Sequence, residues 1–330
     1  MAIFKNPKFD FLRWRWPAVG LSLVIIASGA VATAVQGGLA LGIDFSGGTI
    51  LILQFDSPVT QETLRGAIGE VVEESVVQES GDPSDNTVMI RLPQGGAEQG
   101  TSLEDGATAV LEAVSQSSAG EFTVVRRDLV GPIIGEELKR RGVYAFVFAM
   151  LGILVYIGLR FRFSFAVGAI IAVAHDILIT LALLTFFGYD LSLNVVAAML
   201  TITGYSVNDS IVVFDRVREN MRQMRRDSFD TLVNTSINQT LSRTVITSGT
   251  TAFAALALFL AGGEVLEGFA FTILVGVVSG TYSTIFIAAA AAIVISERRA
   301  ARRSQHVSGG DQATSNPKRR AKRARARARA

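Results

Sequence analysis

Five positions carry most of the chemistry this sequence can offer: His175 beside Asp176, Asn208 beside Asp209, and Arg243, all set in long apolar stretches. Ionisable side chains are rare in such stretches and tend to mark ion or proton pathways. A carboxyl group in a low dielectric favours its neutral form, and a guanidinium nearby favours the charged one. Two carboxylic acids, an imidazole and a guanidinium are therefore the parts of a proton relay. Changing water access, or the distance to the cation, would load or release the proton. A static ion pair that fixes helix packing uses the same residue types, so the residues alone leave both readings open.

Other chemistry is excluded by what the chain lacks. There is no cysteine and there are two histidines, which removes disulfides, thiol catalysis, thiolate zinc sites and Cys-ligated clusters. No GxxxxGK[ST] run occurs, which argues against ATP hydrolysis. No hydrolase or metal constellation stands out. The expectation is a protein that is not an enzyme, with no cofactor, no metal and no DNA partner.

The elements that position these residues must be membrane helices. Of 330 residues 49% are hydrophobic and 18% charged, against roughly a quarter charged in soluble domains, and mean hydropathy is +0.40. A bilayer core needs roughly 20 apolar residues as helix. Six stretches qualify, near Pro17–Val35, Val143–Leu159, Ser164–Phe187, Leu191–Val213, Val245–Ala261 and Phe269–Ile295. The first follows Lys5, Lys8, Arg13 and Arg15, carries Trp14 and Trp16 as interfacial anchors, and is too long for a signal-peptide core, so an uncleaved span is expected. Arg160, Arg162, Arg216, Arg218, Arg222, Arg225 and Arg226 fall on one side with both basic termini, while the loops 188–190 and 262–268 have no Lys or Arg. The positive-inside rule then puts both termini in the cytoplasm. Lys139, Arg140 and Arg141 lie on the outer side against that rule. Asp209 is six residues before Asp215, roughly 9 Å inside that end, and Asp176 is roughly 18 Å into its span. Arg243 enters from the same end as Asp209 and can reach a similar depth.

The expected division is a cytoplasmic N-terminus (1–16), a first span (17–36), an exported domain (37–138), five further spans (139–297) and a basic tail (298–330). The exported stretch holds 17 acidic and 4 basic residues. Strands are expected at Thr49–Phe55, Ser75–Glu79, Thr87–Leu92 and Phe122–Leu129, with helices after Thr60, its N-cap, and at Leu103–Ser115. The order βαββαβ is the ferredoxin-like pattern, and Pro93–Gly100 reads as a flexible insertion. The tail carries 12 basic residues and one acidic one, and ends in KRRAKRARARARA. It reads as disordered and cationic, suited to anionic lipid or to ribosomal RNA. Gly276 with Gly280, and Gly168 with Ala172, are small-xxx-small spacings that allow close helix contact.

Gly42–Gly48 (GIDFSGG), Val130–Leu138 (VGPIIGEEL), His175-Asp176, Tyr205–Asn220 (YSVNDSIVVFDRVREN), Gln239–Thr251 (QTLSRTVITSGTT), Gly262-Gly263 and Gly280–Ser283 (GTYS) resemble the protein-export membrane subunits of the SecD/SecF family. The resemblance covers about residues 10–297. The exported stretch of about a hundred residues fits the SecF branch, since SecD has a much larger one. The resemblance implies one RND-like half of a twelve-span assembly with SecD, next to the SecYEG channel and YajC in the cell inner membrane. It implies use of the proton motive force to help complete export after SecA-driven translocation, with contact to the translocating polypeptide. By motif, the family's proton-path Asp and Arg fall on Asp209 and Arg243. A competing reading is half of an RND-like proton-coupled transporter of small molecules or lipids, for which the exported domain is small. Another is a scaffold without proton coupling.

Overall fold

The computed structural model describes residues 7–69, 71–72, 75–79, 83–92, 103–161 and 163–299. The expected insertion 93–100 and most of the basic tail lie outside them. Nine α-helices and four strands follow in order among the described residues: α1 Arg15–Val35, α2 Ile43–Ser46, β1 Gly48–Phe55, α3 Gln61–Gly69, β2 Val76–Glu79, β3 Thr87–Leu92, α4 Leu103–Gln116, β4 Phe122–Val130, α5 Pro132–Arg160, α6 Phe163–Phe187, α7 Leu193–Gln223, α8 Phe229–Ala261 and α9 Glu264–Ser283. A π-helical turn, Thr284–Ala288, continues α9. Six helices are long and apolar enough to cross a membrane: Leu12–Val35, α5, α6, α7, α8 and Val265–Arg299. At 1.5 Å per residue, the 25 residues of α6 reach about 37 Å, more than a hydrocarbon core of about 30 Å. The chain is a membrane protein built on these six helices.

Local chemistry sets where the helices begin and end. Pro132 opens α5, where its missing N–H costs nothing. Ser192 caps α7 by accepting from Val195 N–H at 3.3 Å, and Ser228 caps α8 by accepting from Thr231 N–H at 3.2 Å. Gly188 ends α6 in the left-handed region (φ +73°), and the Tyr189 N–H turns back to Leu184 O at 3.0 Å, a Schellman-type stop. Lys139, Arg140 and Arg141 lie inside α5, not ahead of it. Arg140 and Arg141 both pair with Glu137, at 2.5 and 2.6 Å.

The bundle has an inner and an outer set. Of the most apolar stretch of each helix, 61% is buried in Val265–Arg299 and 6% in α5, with 17% in the first span and in α8. So α6, α7 and α9 form the centre, and α1, α5 and α8 turn apolar side chains outward. Small residues let the inner helices approach. A Cβ added at Gly280 would lie 3.1 Å from Ser206 Cβ on α7, and one at Gly168 would lie 2.7 Å from Ala288 O. Gly276 faces Ile202 of α7 in the same way. Without a hydrophobic force between helices in lipid, such close packing is what holds them together.

Between α1 and α5 the chain forms a four-stranded antiparallel sheet, ordered β2-β3-β1-β4. Strand β1 alternates: Leu51, Leu53 and Phe55 pack on Leu64 and Ile68 of α3 and Ala107, Val110 and Val114 of α4. Thr60 accepts from Thr63 N–H at 3.3 Å, capping α3. A register shift between Ile52 and Leu53 leaves Val125 of β4 as an extra residue, a bulge on an edge strand. The sheet enters through Gly47 and Gly48, both at positive φ (+70° and +124°), which only glycine adopts freely.

The opposite sheet face covers the α6–α7 loop. Leu191 N–H donates to Ala40 O at 2.7 Å and accepts through its own carbonyl from Gly42 N–H at 2.9 Å. Asp44 accepts from Leu193 N–H at 2.9 Å, and Arg91 of β3 pairs with Asp190. The Tyr189 hydroxyl donates to Glu267 at 2.6 Å. Burial, then that carboxylate, holds this phenol far above its usual range, so it remains a donor. A polar cavity of about 410 Å³ lies between Ile52, Met89 and Arg126 above and Tyr189 and Glu267 below.

The sheet has a core separate from the helical ones. Leu53→Ala should cost about 2–5 kcal/mol there. Hydrogen exchange by mass spectrometry is expected to rise in β1, β2 and β3 and to stay unchanged in α6, α7 and α9. Equal rises in both parts would mean that sheet and bundle share one cooperative unit.

Candidate functional site

Asp176 is the most heavily partnered buried polar group in the bundle interior. Its Oδ1 accepts from His175 Nδ1 at 3.0 Å and from Ser279 Oγ at 2.7 Å. Its Oδ2 accepts from Ser206 Oγ at 2.6 Å and from Ser283 Oγ at 2.8 Å. The donors come from α6, α7 and α9. A carboxylate offers about four acceptor sites, and all are used. Asp176 sits mid-helix in α6 with 2% of its surface exposed. Without those donors the ionised group would be very costly there.

The network runs on through His175. Its Nε2 lies 2.8 Å from Ser22 Oγ on α1. Ser22 Oγ donates to the Tyr282 hydroxyl at 3.2 Å, and Tyr282 donates to Ala18 O at 2.6 Å. The His175 and Tyr282 rings stack with centroids 6.0 Å apart. An imidazolium gives an unbroken run of donors, His175 to Ser22 to Tyr282 to Ala18 O. A neutral ring with its proton on Nδ1 needs the Ser22 proton at Nε2, and Ser22 then no longer donates to Tyr282. Through His175 and Ser22 the network thus ties α1 to α6 and α9.

Asp209 is equally buried, with 3% exposed, but is held quite differently. Its one hydrogen bond among the described residues is from Ser248 Oγ of α8 at 3.4 Å, long for an O–H donor. Ser248 is shared: Thr281 Oγ1 donates to it at 2.7 Å and the Tyr205 hydroxyl at 3.4 Å. At the next residue of α7, Ser210 and Thr284 bond at 3.1 Å, where α9 passes into its π turn. Such turns recur at functional sites.

The structure brings His175 and Asp176 into one network and holds Asp209 in a second. Ser206 links the two along α7, since it bonds Asp176 and lies one turn before Asp209. Asn208 and Arg243 are outside both. Asn208 is exposed on α7, and Arg243 is exposed on α8 with no carboxylate within ion-pairing distance among the described residues. Asp209 and Arg243 therefore form no direct ion pair among the described residues, although the guanidinium charge is near enough to act on the Asp209 carboxyl. Gly276 and Gly280 bring α9 against α7 at the level of the serine donors, and Gly168 seats α6 against the π turn. Ser22, Ser206, Ser279, Tyr282 and Ser283 were not legible as site residues, because scattered hydroxyls in helices also bond their own backbone. No group of three or more metal-ligating side chains occurs among the described residues.

Comparison with known proteins gives this bundle a family. The description "Protein export membrane protein SecD/SecF, C-terminal" matches residues 110–298, and "SecD/SecF GG Motif" matches residues 35–59. The chain belongs to the SecD/SecF family, on the SecF side. It is 40% identical over 282 residues to protein translocase subunit SecF of Escherichia coli O157:H7, covering 85% of this chain and 86% of that one. It is 42% identical over 293 residues to SecF of Magnetococcus marinus, covering 88% and 93%. The crystal structure of SecDF from Thermus thermophilus, titled a translocon-associated membrane protein, superposes with a TM-score of 0.78 at 37% identity. That match covers 88% of this chain and 39% of the SecDF chain, so this chain spans well under half of it. The GG motif match spans Gly47 and Gly48, the positive-φ entry to the sheet.

The two carboxylates should respond differently to loss of hydroxyls. Ser279→Ala with Ser283→Ala removes two short bonds to a buried charge and is expected to cost about 2–3 kcal/mol, whereas Ser248→Ala should cost under about 1 kcal/mol. Thermal unfolding in detergent micelles measures both, and equal losses would contradict the contrast in satisfaction.

Proposed function

We propose that this chain is the SecF-type subunit of a SecD–SecF assembly in the cell inner membrane, where the proton motive force helps complete protein export after SecA-driven translocation. It is not an enzyme in this reading. Its partners are SecD, the SecYEG channel, YajC and the emerging polypeptide. What supports the proton role is the contrast inside one bundle. Asp176 is saturated with donors and serves as a fixed pin. Asp209 is buried with a single long hydrogen bond among the described residues, and an arginine stands on the helix that carries that donor. A carboxyl so placed can exchange a proton without dismantling a network, and an approach of Arg243 would stabilise its charged form.

The orientation follows the charge. Arg160, Arg216, Arg218, Arg222 and Arg225 lie at the end of the bundle opposite the sheet. The N-terminal segment is tied to that end, where Phe9 N–H donates to Asn238 at 2.9 Å and Phe11 N–H to Asn234 at 3.0 Å. Both termini are assigned to the cytoplasm and the sheet domain to the exported side. The antiparallel order β2-β3-β1-β4, with α3 and α4 on one face, supports a ferredoxin-like head. Because that head rests on the α6–α7 loop, a shift of α7 on protonation of Asp209 would be transmitted to it. The six spans form one RND-like half, completed by the six of SecD.

Asp209→Asn tests the reading. In inverted vesicles it is expected to abolish stimulation of export by the proton motive force and to leave SecA-dependent initiation intact. Stimulation at the unmodified level would end the relay proposal. Co-purification of the full chain with SecD-like and SecY-like chains checks the assembly separately.

A further inference from the structure

We infer that the end of the bundle opposite the sheet carries a seat for an anionic phospholipid. A cavity of about 440 Å³ lies where α5 ends, α6 begins and α7 extends past them, lined by Arg160, Phe161, Phe165, Arg218, Met221 and Arg222. Arg218 and Arg222 are four residues apart, so one face of α7 presents two guanidiniums a turn apart. Arg160 reaches in from α5, with its guanidinium 5.1 Å from the Phe161 ring centroid. The acidic group that faces it is Asp215, 3.4 Å from Arg160. The adjacent Glu219 is engaged at 2.5 Å by Arg216, outside the lining. Three guanidiniums against one carboxylate leave about two positive charges at the mouth of a cavity with an aromatic floor.

That combination selects the ligand class. Guanidinium forks bind phosphate oxygens in bidentate fashion, and basic pockets between membrane helices hold anionic headgroups. The apolar surface leading away from the cavity fits the rest of such a molecule. On α5, Val155, Tyr156 and Leu159 are 61%, 53% and 85% exposed, and α5 is the least covered span. A headgroup at the arginines would lay its acyl chains along this face. A free phosphate would use the arginines and leave the α5 face without a role. The seat does not depend on proton coupling, so it stands or falls apart from the proposed function.

Native mass spectrometry of the detergent-solubilised full chain tests this, titrating phosphatidylglycerol and phosphatidylcholine in turn. The first phosphatidylglycerol is expected to bind at least about fivefold more tightly than phosphatidylcholine. Arg218→Gln with Arg222→Gln should cut phosphatidylglycerol affinity about tenfold, in line with the contribution of basic residues near anionic lipid, and leave phosphatidylcholine unchanged. Glutamine keeps the polar, extended stems beside Met221, and an unchanged melting temperature verifies the fold. Arg225→Gln with Arg226→Gln removes the same charge outside the cavity lining and should change affinity less than twofold. An equal loss in both double variants would mean diffuse surface charge, the basic tail included, and would overturn the site. Displacement of phosphatidylglycerol by glycerol phosphate at comparable concentration would overturn it in favour of a phosphate-only site.

Discussion

A carboxylate in the middle of an apolar bundle cannot be left to itself, and Asp176 shows what satisfying it requires. Two oxygens take four donors, from three helices, at 2.6–3.0 Å. Each donor fixes the rotation and height of the helix that carries it. Through His175 and Ser22 the same network reaches α1. Hydrogen bonding here supplies the specificity that a hydrophobic core supplies in water, because lipid does not drive apolar helices together. The glycines that bring α7 and α9 close are part of the same solution, since Ser206 reaches Asp176 where Gly280 leaves room for it.

Asp209 exists because of that pinned framework and is exempt from it. Three residues after Ser206, it shares the interior face of α7 but, among the described residues, accepts only from Ser248 at 3.4 Å. A loosely satisfied acid can change protonation state at small structural cost, while a saturated one cannot. One interior thus holds a carboxyl tied to three helices and another with a single long hydrogen bond among the described residues. The π turn after Ser283 lies where the two networks approach each other, and such turns recur at functional sites.

The sheet domain is coupled to this interior through a short connection. The α6–α7 loop holds only a few residues, so it has little freedom of its own. It is tied by backbone hydrogen bonds to residues 40–42, by Asp44 to the start of α7, and by Arg91 to Asp190. The start of α7 and the sheet domain are therefore joined directly, without a long connecting segment. At the other end, the arginines of α5 and α7 meet the opposite membrane surface, and the N-terminal segment is sewn to α8 by two asparagines.

Much of this was legible in the residues. Apolar length marks the spans, because crossing a bilayer imposes a minimum on each one. The aliphatic run Thr49–Phe55 and helical spacing after Thr60 mark the sheet domain. The N-cap at Thr60 follows from local backbone chemistry. The identity of the rare buried acids is also a property of sequence, since few residues of that type can occur there at all. What only the tertiary structure decided is which acid is held and which is free. Asp176 and Asp209 are alike in type, burial and apolar surroundings. They differ in the hydroxyls that α7, α8 and α9 bring to each, over sequence separations of up to 107 residues. Such donors carry no periodic or local signal, because a hydroxyl serves a distant carboxylate or its own helix backbone equally well until packing chooses between them.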